Sequence, residues 1–203
     1  GNPTQIRDSQ NNLTQMAYDA RGLLTSATDP QAKTTTFAYD VKGNLITTTD
    51  PLGRATNLQY NQAGNVVKST DSEGRATEFT YDLFNRLISV LDHQLNVTRY
   101  SYDAKGNLTE VMDTRGQRTS FTYDVQDRLA SSTNPQGSTE AFSYDANGNL
   151  TSTNNRNLQA TGFNYDSLNR LIQKTLPGNQ ITSFSYDSVG NLTSVVDPDS
   201  AVS

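Results

Sequence analysis

The stretch "SYDAKGNLTEVMD", residues 101–113, reads as the end of one strand, a tight turn and the start of a second strand. Nearly the same phrase stands at 38–50, "AYDVKGNLITTTD", and at 143–155, "SYDANGNLTSTNN", both displaced by multiples of 21 residues. Fixed-period self-similarity has to be tested before any local reading. Tyrosine is the ruler: Tyr18, Tyr39, Tyr60, Tyr81, Tyr102, Tyr123, Tyr144, Tyr165 and Tyr186 follow one another every 21 residues without an insertion or deletion. Asp19, Asp40, Asp82, Asp103, Asp124, Asp145, Asp166 and Asp187 follow eight of them, and Asn61 follows Tyr60.

Other columns keep the same period. Two residues before each Tyr stands an apolar or aromatic residue, Phe in six repeats, with Tyr100 filling that column once. Four before stands Thr, except for Glu140, and six after stands Leu, with Val66 the one exception. The unit is T-x-F-x-Y-D-x-x-G-N-L-x-x-x-x-D-P-x-G. Alternation of β-branched and aromatic residues with small or polar ones is the period of a half-buried strand, and no 3.6-residue apolar recurrence competes with it. The fold predicted is all-β: an antiparallel β-hairpin array of nine 21-residue repeats and about 18 strands. A sheet that long does not stay flat, so a curved, spiralling ribbon is expected.

The turn in the opening phrase has a specific chemistry. Asp suits the first position of a type I turn, and a three-residue hairpin loop closes on a residue with positive φ. That place is held by Gly22, Gly43, Gly64, Asn85, Gly106, Asp127, Gly148, Asn169 and Gly190, all of them residue types that tolerate it. Such a loop sets Tyr opposite the Leu six later. It also sets Asp82, Asp124 and Asp166 opposite Arg86, Arg128 and Arg170 as cross-strand ion pairs. Because 21 is odd, the second loop must be even in length, or a bulge must restore the phase. The D-P-x-G-x segment fits a four-residue loop, with Pro where its fixed φ is favoured.

Composition excludes several classes. Apolar residues are 33% of the chain, too few for a thick two-layered core. The net charge of −5 and the lack of a basic cluster speak against nucleic acid. No apolar run approaches the length of a membrane-spanning helix, so membrane insertion is not expected. Cysteine is absent, which rules out disulfides and thiolate metal sites. The opening Gly1-Asn2-Pro3 reads as extraneous to the array, which is otherwise a single domain over 1–203.

These columns resemble the YD repeat, also called the RHS repeat, over about residues 10–200. The combination of Tyr-Asp, Gly-Asn/Arg-Leu and Asp-Pro-x-Gly at a 21-residue period carries the likeness. The resemblance implies a sheet that spirals into a hollow shell, as in bacterial polymorphic toxins, the B/C subunits of insecticidal toxin complexes and the teneurins. In the toxins such a shell encloses a C-terminal effector before delivery. It implies a non-enzymatic shell segment with no cofactor, secreted or held at the cell surface through a bacterial secretion system. Its partners would be neighbouring repeats and a cargo effector polypeptide. Nine repeats are fewer than a closed shell needs, so the sequence reads as part of a longer wall. The Gly-, Arg- and Tyr-rich plug with its Asp-Pro self-cleavage site is not seen, and Asp197-Pro198 falls in an ordinary repeat column.

Other readings compete at single positions. A row of Asp suggests Ca²⁺, but one carboxylate per turn is short of the six to eight oxygens required, so turn formation is the expectation. His93 takes the Pro slot of one turn with no nucleophile near it in the repeat. The Asn-Leu-Thr sequons at 107, 149 and 191 are explained by the repeat itself. The alternative function is an extracellular module binding carbohydrate or a cell surface through its Tyr and Phe rings. Edge strands and an apolar face without a second layer predict self-association.

Overall fold

The structure is a computed structural model that describes residues 2–197. Every regular element in it is a strand, and the nineteen strands form one antiparallel hairpin-repeat sheet. β1 is Gln5–Arg7. The even-numbered strands from β2 onward end on a repeat tyrosine: β2 Leu13–Tyr18, β4 Thr34–Tyr39, β6 Ala55–Tyr60, β8 Ala76–Tyr81, β10 Val97–Tyr102, β12 Arg118–Tyr123, β14 Thr139–Tyr144, β16 Ala160–Tyr165 and β18 Gln180–Tyr186. The odd-numbered strands from β3 onward begin on the Leu/Val column: β3 Leu24–Thr28, β5 Leu45–Thr49, β7 Val66–Thr70, β9 Leu87–Leu91, β11 Leu108–Met112, β13 Leu129–Thr133, β15 Leu150–Asn154, β17 Leu171–Leu176 and β19 Leu192–Val196. The chain divides into two compact halves, residues 1–99 and 100–203.

In the N-terminal half, β1 supplies one strand beyond the eighteen expected. It pairs with β2 through Gln5↔Gln15 and Arg7↔Leu13. Asn2 and Pro3, read from sequence as extraneous, stand 21 residues before Leu23 and Leu24, in repeat positions. Asn2 Nδ2 donates to the Gly22 carbonyl at 2.8 Å, and the Tyr18 hydroxyl donates to the Pro3 carbonyl at 3.0 Å.

Loop geometry differs from expectation at the second turn. The first turn closes as foreseen: Asp40 N–H donates to Asn44 O, Gly43 N–H donates to Asp40 O, and Tyr39 pairs with Leu45. The second turn is not a four-residue loop. Asp50 N–H donates to Arg54 O, Gly53 N–H donates to Asp50 O, and Thr49 pairs with Ala55. Both loops thus have three residues and the same hydrogen bonds. The phase is restored by a bulge in the first hairpin, where Tyr39 pairs with Leu45 but Ala38 pairs with Thr47, leaving Ile46 over. The same shift recurs just before Tyr60 and Tyr81 in this half, and before Tyr123, Tyr144, Tyr165 and Tyr186 in the other.

The three-residue loop wins because both turns carry the same residue in the same role. Asp50 Oδ1 accepts from the N–H groups of Leu52 and Arg54, as Asp40 Oδ1 does from Lys42 and Asn44. A side chain that satisfies two turn amides fixes the loop length more firmly than proline, which constrains one φ.

In the C-terminal half, the one turn without an Asx residue departs from the pattern. Leu176 stands in the Asp column, and the β17–β18 ladder extends to Leu176↔Gln180. Positive φ there is taken by both Gly178 and Asn179.

Within each half the sheet is one layer thick. Among the described residues no apolar side chain is buried, and only Ser132 and Thr182 are. Along β4 and β8 the residues of the Thr, Phe and Tyr columns are half-buried and those between them exposed. The Tyr, Leu and aromatic columns share one face because Tyr pairs with Leu and the aromatic lies two residues from Tyr.

Candidate functional site

The functional architecture is distributed along the sheet. Its first component is the Asx turn. Asp19, Asp40, Asp82, Asp103, Asp124, Asp145, Asp166 and Asp187 each accept at Oδ1 from the backbone N–H groups two and four residues on. Asn61 does the same through its amide oxygen. The nine positions named for positive φ all have it, from +60° at Asn169 to +100° at Gly106. The remaining oxygen, Oδ2, accepts from Arg21 at Asp19 and elsewhere from the fourth residue on, as from Asn44 at Asp40 and Asn149 at Asp145, each at 2.9 Å. Arg86, Arg128 and Arg170 form the cross-strand ion pairs with Asp82, Asp124 and Asp166 at 2.7 Å. Hydrogen bonds to the charged form hold these carboxyls below their usual range. At Asp40, Asp145 and Asp187 the side-chain amide of the fourth residue is the largest cause.

The second component was not legible in the repeat pattern. At Tyr39, Tyr60, Tyr81, Tyr123 and Tyr186 the hydroxyl reaches back fifteen residues to the carbonyl of the Leu column in the preceding hairpin. Tyr39 donates to Leu24 O at 2.9 Å, Tyr60 to Leu45 O at 2.8 Å and Tyr81 to Val66 O at 2.9 Å. In the C-terminal half Tyr123 donates to Leu108 O and Tyr186 to Leu171 O, each at 2.9 Å. The register explains why these carbonyls need a partner. The β5–β6 ladder covers only Thr47–Thr49 against Ala55–Asn57, so Leu45, displaced by the bulge, lies beyond it. An unpaired backbone carbonyl is costly wherever water is excluded. The Tyr column is therefore a stitch between hairpins as well as an apolar surface. The sequence signal was the spacing of the turn Asp residues, 10 then 11, at Asp40, Asp50 and Asn61, which marks one extra residue per repeat.

The sites considered for chemistry resolve into this architecture. The Asp row is spread over separate turns, and no group of three His, Cys, Asp or Glu able to hold a metal occurs among the described residues. His93 lies at a turn whose Asp92 is capped by Gln94 and Asn96. The Asn107 and Asn149 side chains of the sequons are bonded within the turn edge, Asn107 to Asp103 and Asp127, Asn149 to Asp145 and Asn169. A glycan at either would take one of the two Nδ2 hydrogens that make those bonds. Pro198 of Asp197-Pro198 lies outside the described residues; the Asp197 carboxylate accepts from Thr182 Oγ1 at 2.7 Å.

A sheet of repeated hairpins, its first turns all closed by Asx residues and its strands stitched by tyrosines, defines a structural repeat array. Residues 80–203 match the Teneurin YD-shell family, and residues 1–34, 18–55 and 60–94 match the RHS repeat. The chain belongs to this RHS/YD-repeat family. Among solved structures, the TcdB2-TccC3-Cdc42 complex aligns with 92% of this chain at a TM-score of 0.60 and 19% identity. A mutant Photorhabdus luminescens Tc holotoxin pore aligns with the same values, as does the TcdB2-TccC3 complex. At that identity the likeness is one of fold. This chain spans only 13–14% of the length of those chains. No match was found among curated proteins.

Proposed function

We propose that this chain is a stretch of shell wall from a bacterial RHS/YD-repeat protein, and that the wall encloses an effector polypeptide carried at the parent's C terminus. The carrying observation is a sheet one layer thick, with its apolar columns only half-buried and its hydrogen bonding devoted to joining hairpins. Membership of the shell family and the shared fold with chains of a Tc toxin support the reading. In the same proposal the parent is secreted or displayed at the cell surface. The strands left at the two ends of this chain, β1 and β19, would take up further strands, in the parent or by self-association.

Limited proteolysis of the full-length parent tests the enclosure. The C-terminal polypeptide should survive protease while the wall is intact and be digested once acid or denaturant opens it. Equal digestion in both states overturns the proposal. The carbohydrate-binding alternative is weaker because the Phe and Tyr columns along β4 and β8 are half-buried, and two of the rings also carry an arginine: Arg128 on Tyr144 at 4.6 Å and Arg170 on Tyr186 at 4.8 Å. Retention on a glycan array would revive it.

A further inference from the structure

The first-turn edge of the C-terminal half alternates between two hairpin types. The residue of positive φ and its successor are Gly106-Asn107, Asp127-Arg128, Gly148-Asn149, Asn169-Arg170 and Gly190-Asn191. Each type reaches the next hairpin in its own way. Asn107 Nδ2 donates to Asp127 Oδ1 at 3.0 Å, and Asn149 Nδ2 donates to Asn169 Oδ1 at 2.8 Å. The acceptor in both is a side chain that exists only because the following hairpin carries Asp or Asn, not Gly, at positive φ. Arg128 Nη1 donates instead to the backbone carbonyl of Asp145 at 3.0 Å, and Arg170 Nη1 to that of Asp187 at 3.2 Å. These arginines also lie over the ring of the next hairpin's tyrosine. They need no side chain at the next positive-φ position, and there it is Gly148 and Gly190.

We propose that this edge matches neighbouring hairpins by type, so that the working repeat of residues 103–191 is a pair of hairpins, 42 residues, in place of one. A Gly-Asn hairpin selects an Asn/Asp-Arg hairpin after it through a side-chain acceptor. An Asn/Asp-Arg hairpin accepts a Gly-Asn hairpin through a backbone acceptor and a ring. In the N-terminal half the same contact joins Asn65 Nδ2 to Asn85 Oδ1 at 2.9 Å. There Gly43-Asn44 is followed by Gly64-Asn65, which offers no such acceptor, so the alternation begins at residue 64. The device sets which hairpin stands beside which along an edge whose first turns share one backbone hydrogen-bond pattern.

The alternation runs against local backbone preference, and that makes it testable. Asn169 has a φ of +60°, a conformation that Gly adopts at least as readily, so Asn169→Gly by itself should not speed local opening. The matching proposal expects the reverse. Amide hydrogen exchange in the intact chain would be followed at Asp145 and Gly148, whose N–H groups close the turn that Asn149 spans. Asn169→Gly should speed exchange there about fivefold, the size of one lost hydrogen bond. In an Asn149→Ala background the same substitution should give no acceleration. Equal effects in the two backgrounds, or slower exchange in both, would overturn the proposal, because a purely local role for residue 169 gives that result. Thermal melts of the four chains in the cycle supply a second reading, with the same coupling expected between 149 and 169.

Discussion

At the scale of single residues, the turns carry both the order and the strain. Among the described residues eleven glycines hold positive φ and are at ease there, but Ala32, Leu95 and Leu158 hold it as well, at +61° to +66°. A γ-branched side chain gains nothing from that backbone, and Leu95 and Leu158 are 76% and 85% exposed. Leu158→Gly should therefore stabilise the chain, by about 1 kcal/mol after glycine's own loss of chain entropy. Urea denaturation checks this, and a lower midpoint for the variant would mean that the leucine packs on something. The opposite case is Gly106, with φ at +100°. Gly106→Val should cost about 2 kcal/mol. Ala104→Val, at an ordinary turn position, should cost well under half of that, and equal melting temperatures would contradict the bulged-turn geometry.

At the scale of the hairpin, one bulge organises three features: the odd repeat length, the common face of Tyr and Leu, and the carbonyl that the next tyrosine satisfies. If the hydroxyl is a stitch, Tyr123→Phe keeps the ring and strands the Leu108 carbonyl. A loss of about 1 kcal/mol is expected, together with faster amide exchange in β11 and β12. Tyr100→Phe is the control, since it installs the residue that six repeats already carry in that column. A Tyr123→Phe chain as stable as the control would reduce the tyrosine to packing alone.

At the scale of the whole molecule, stability rests on many repeated polar contacts, with no apolar side chain buried among the described residues, so it should respond to pH as one population of carboxylates. Asp40, Asp50, Asp92 and Asp145 have folded pKa values below the ordinary one, held down chiefly by the side chain four residues on. A depressed folded pKa contributes stability that is complete above the unfolded value near 3.9 and disappears as pH falls through the folded value. The melting temperature should stay level from about pH 7 to pH 5 and fall steeply below about pH 4. A level or rising profile down to pH 2.5 would show that these bonds do not hold the array together.

The sequence by itself determined the period, the strand class, the turn residues with positive φ and the pairing of Tyr with Leu. Each of these is written in local chemistry: alternation along a strand, Asp at a turn start, Gly or Asn where φ must be positive. It did not determine how the odd period is accommodated. D-P-x-G-x is compatible with more than one loop, and the choice depends on register summed over two turns and two strands, where Asp50 caps the second turn as Asp40 caps the first. Nor did it show what the tyrosine hydroxyls do, because the Leu24 and Leu45 carbonyls become free acceptors only once a bulge has displaced them from the ladder. Contacts between hairpins, such as Asn149 to Asn169, are decided by which residues a three-dimensional register brings side by side, twenty residues apart in the chain.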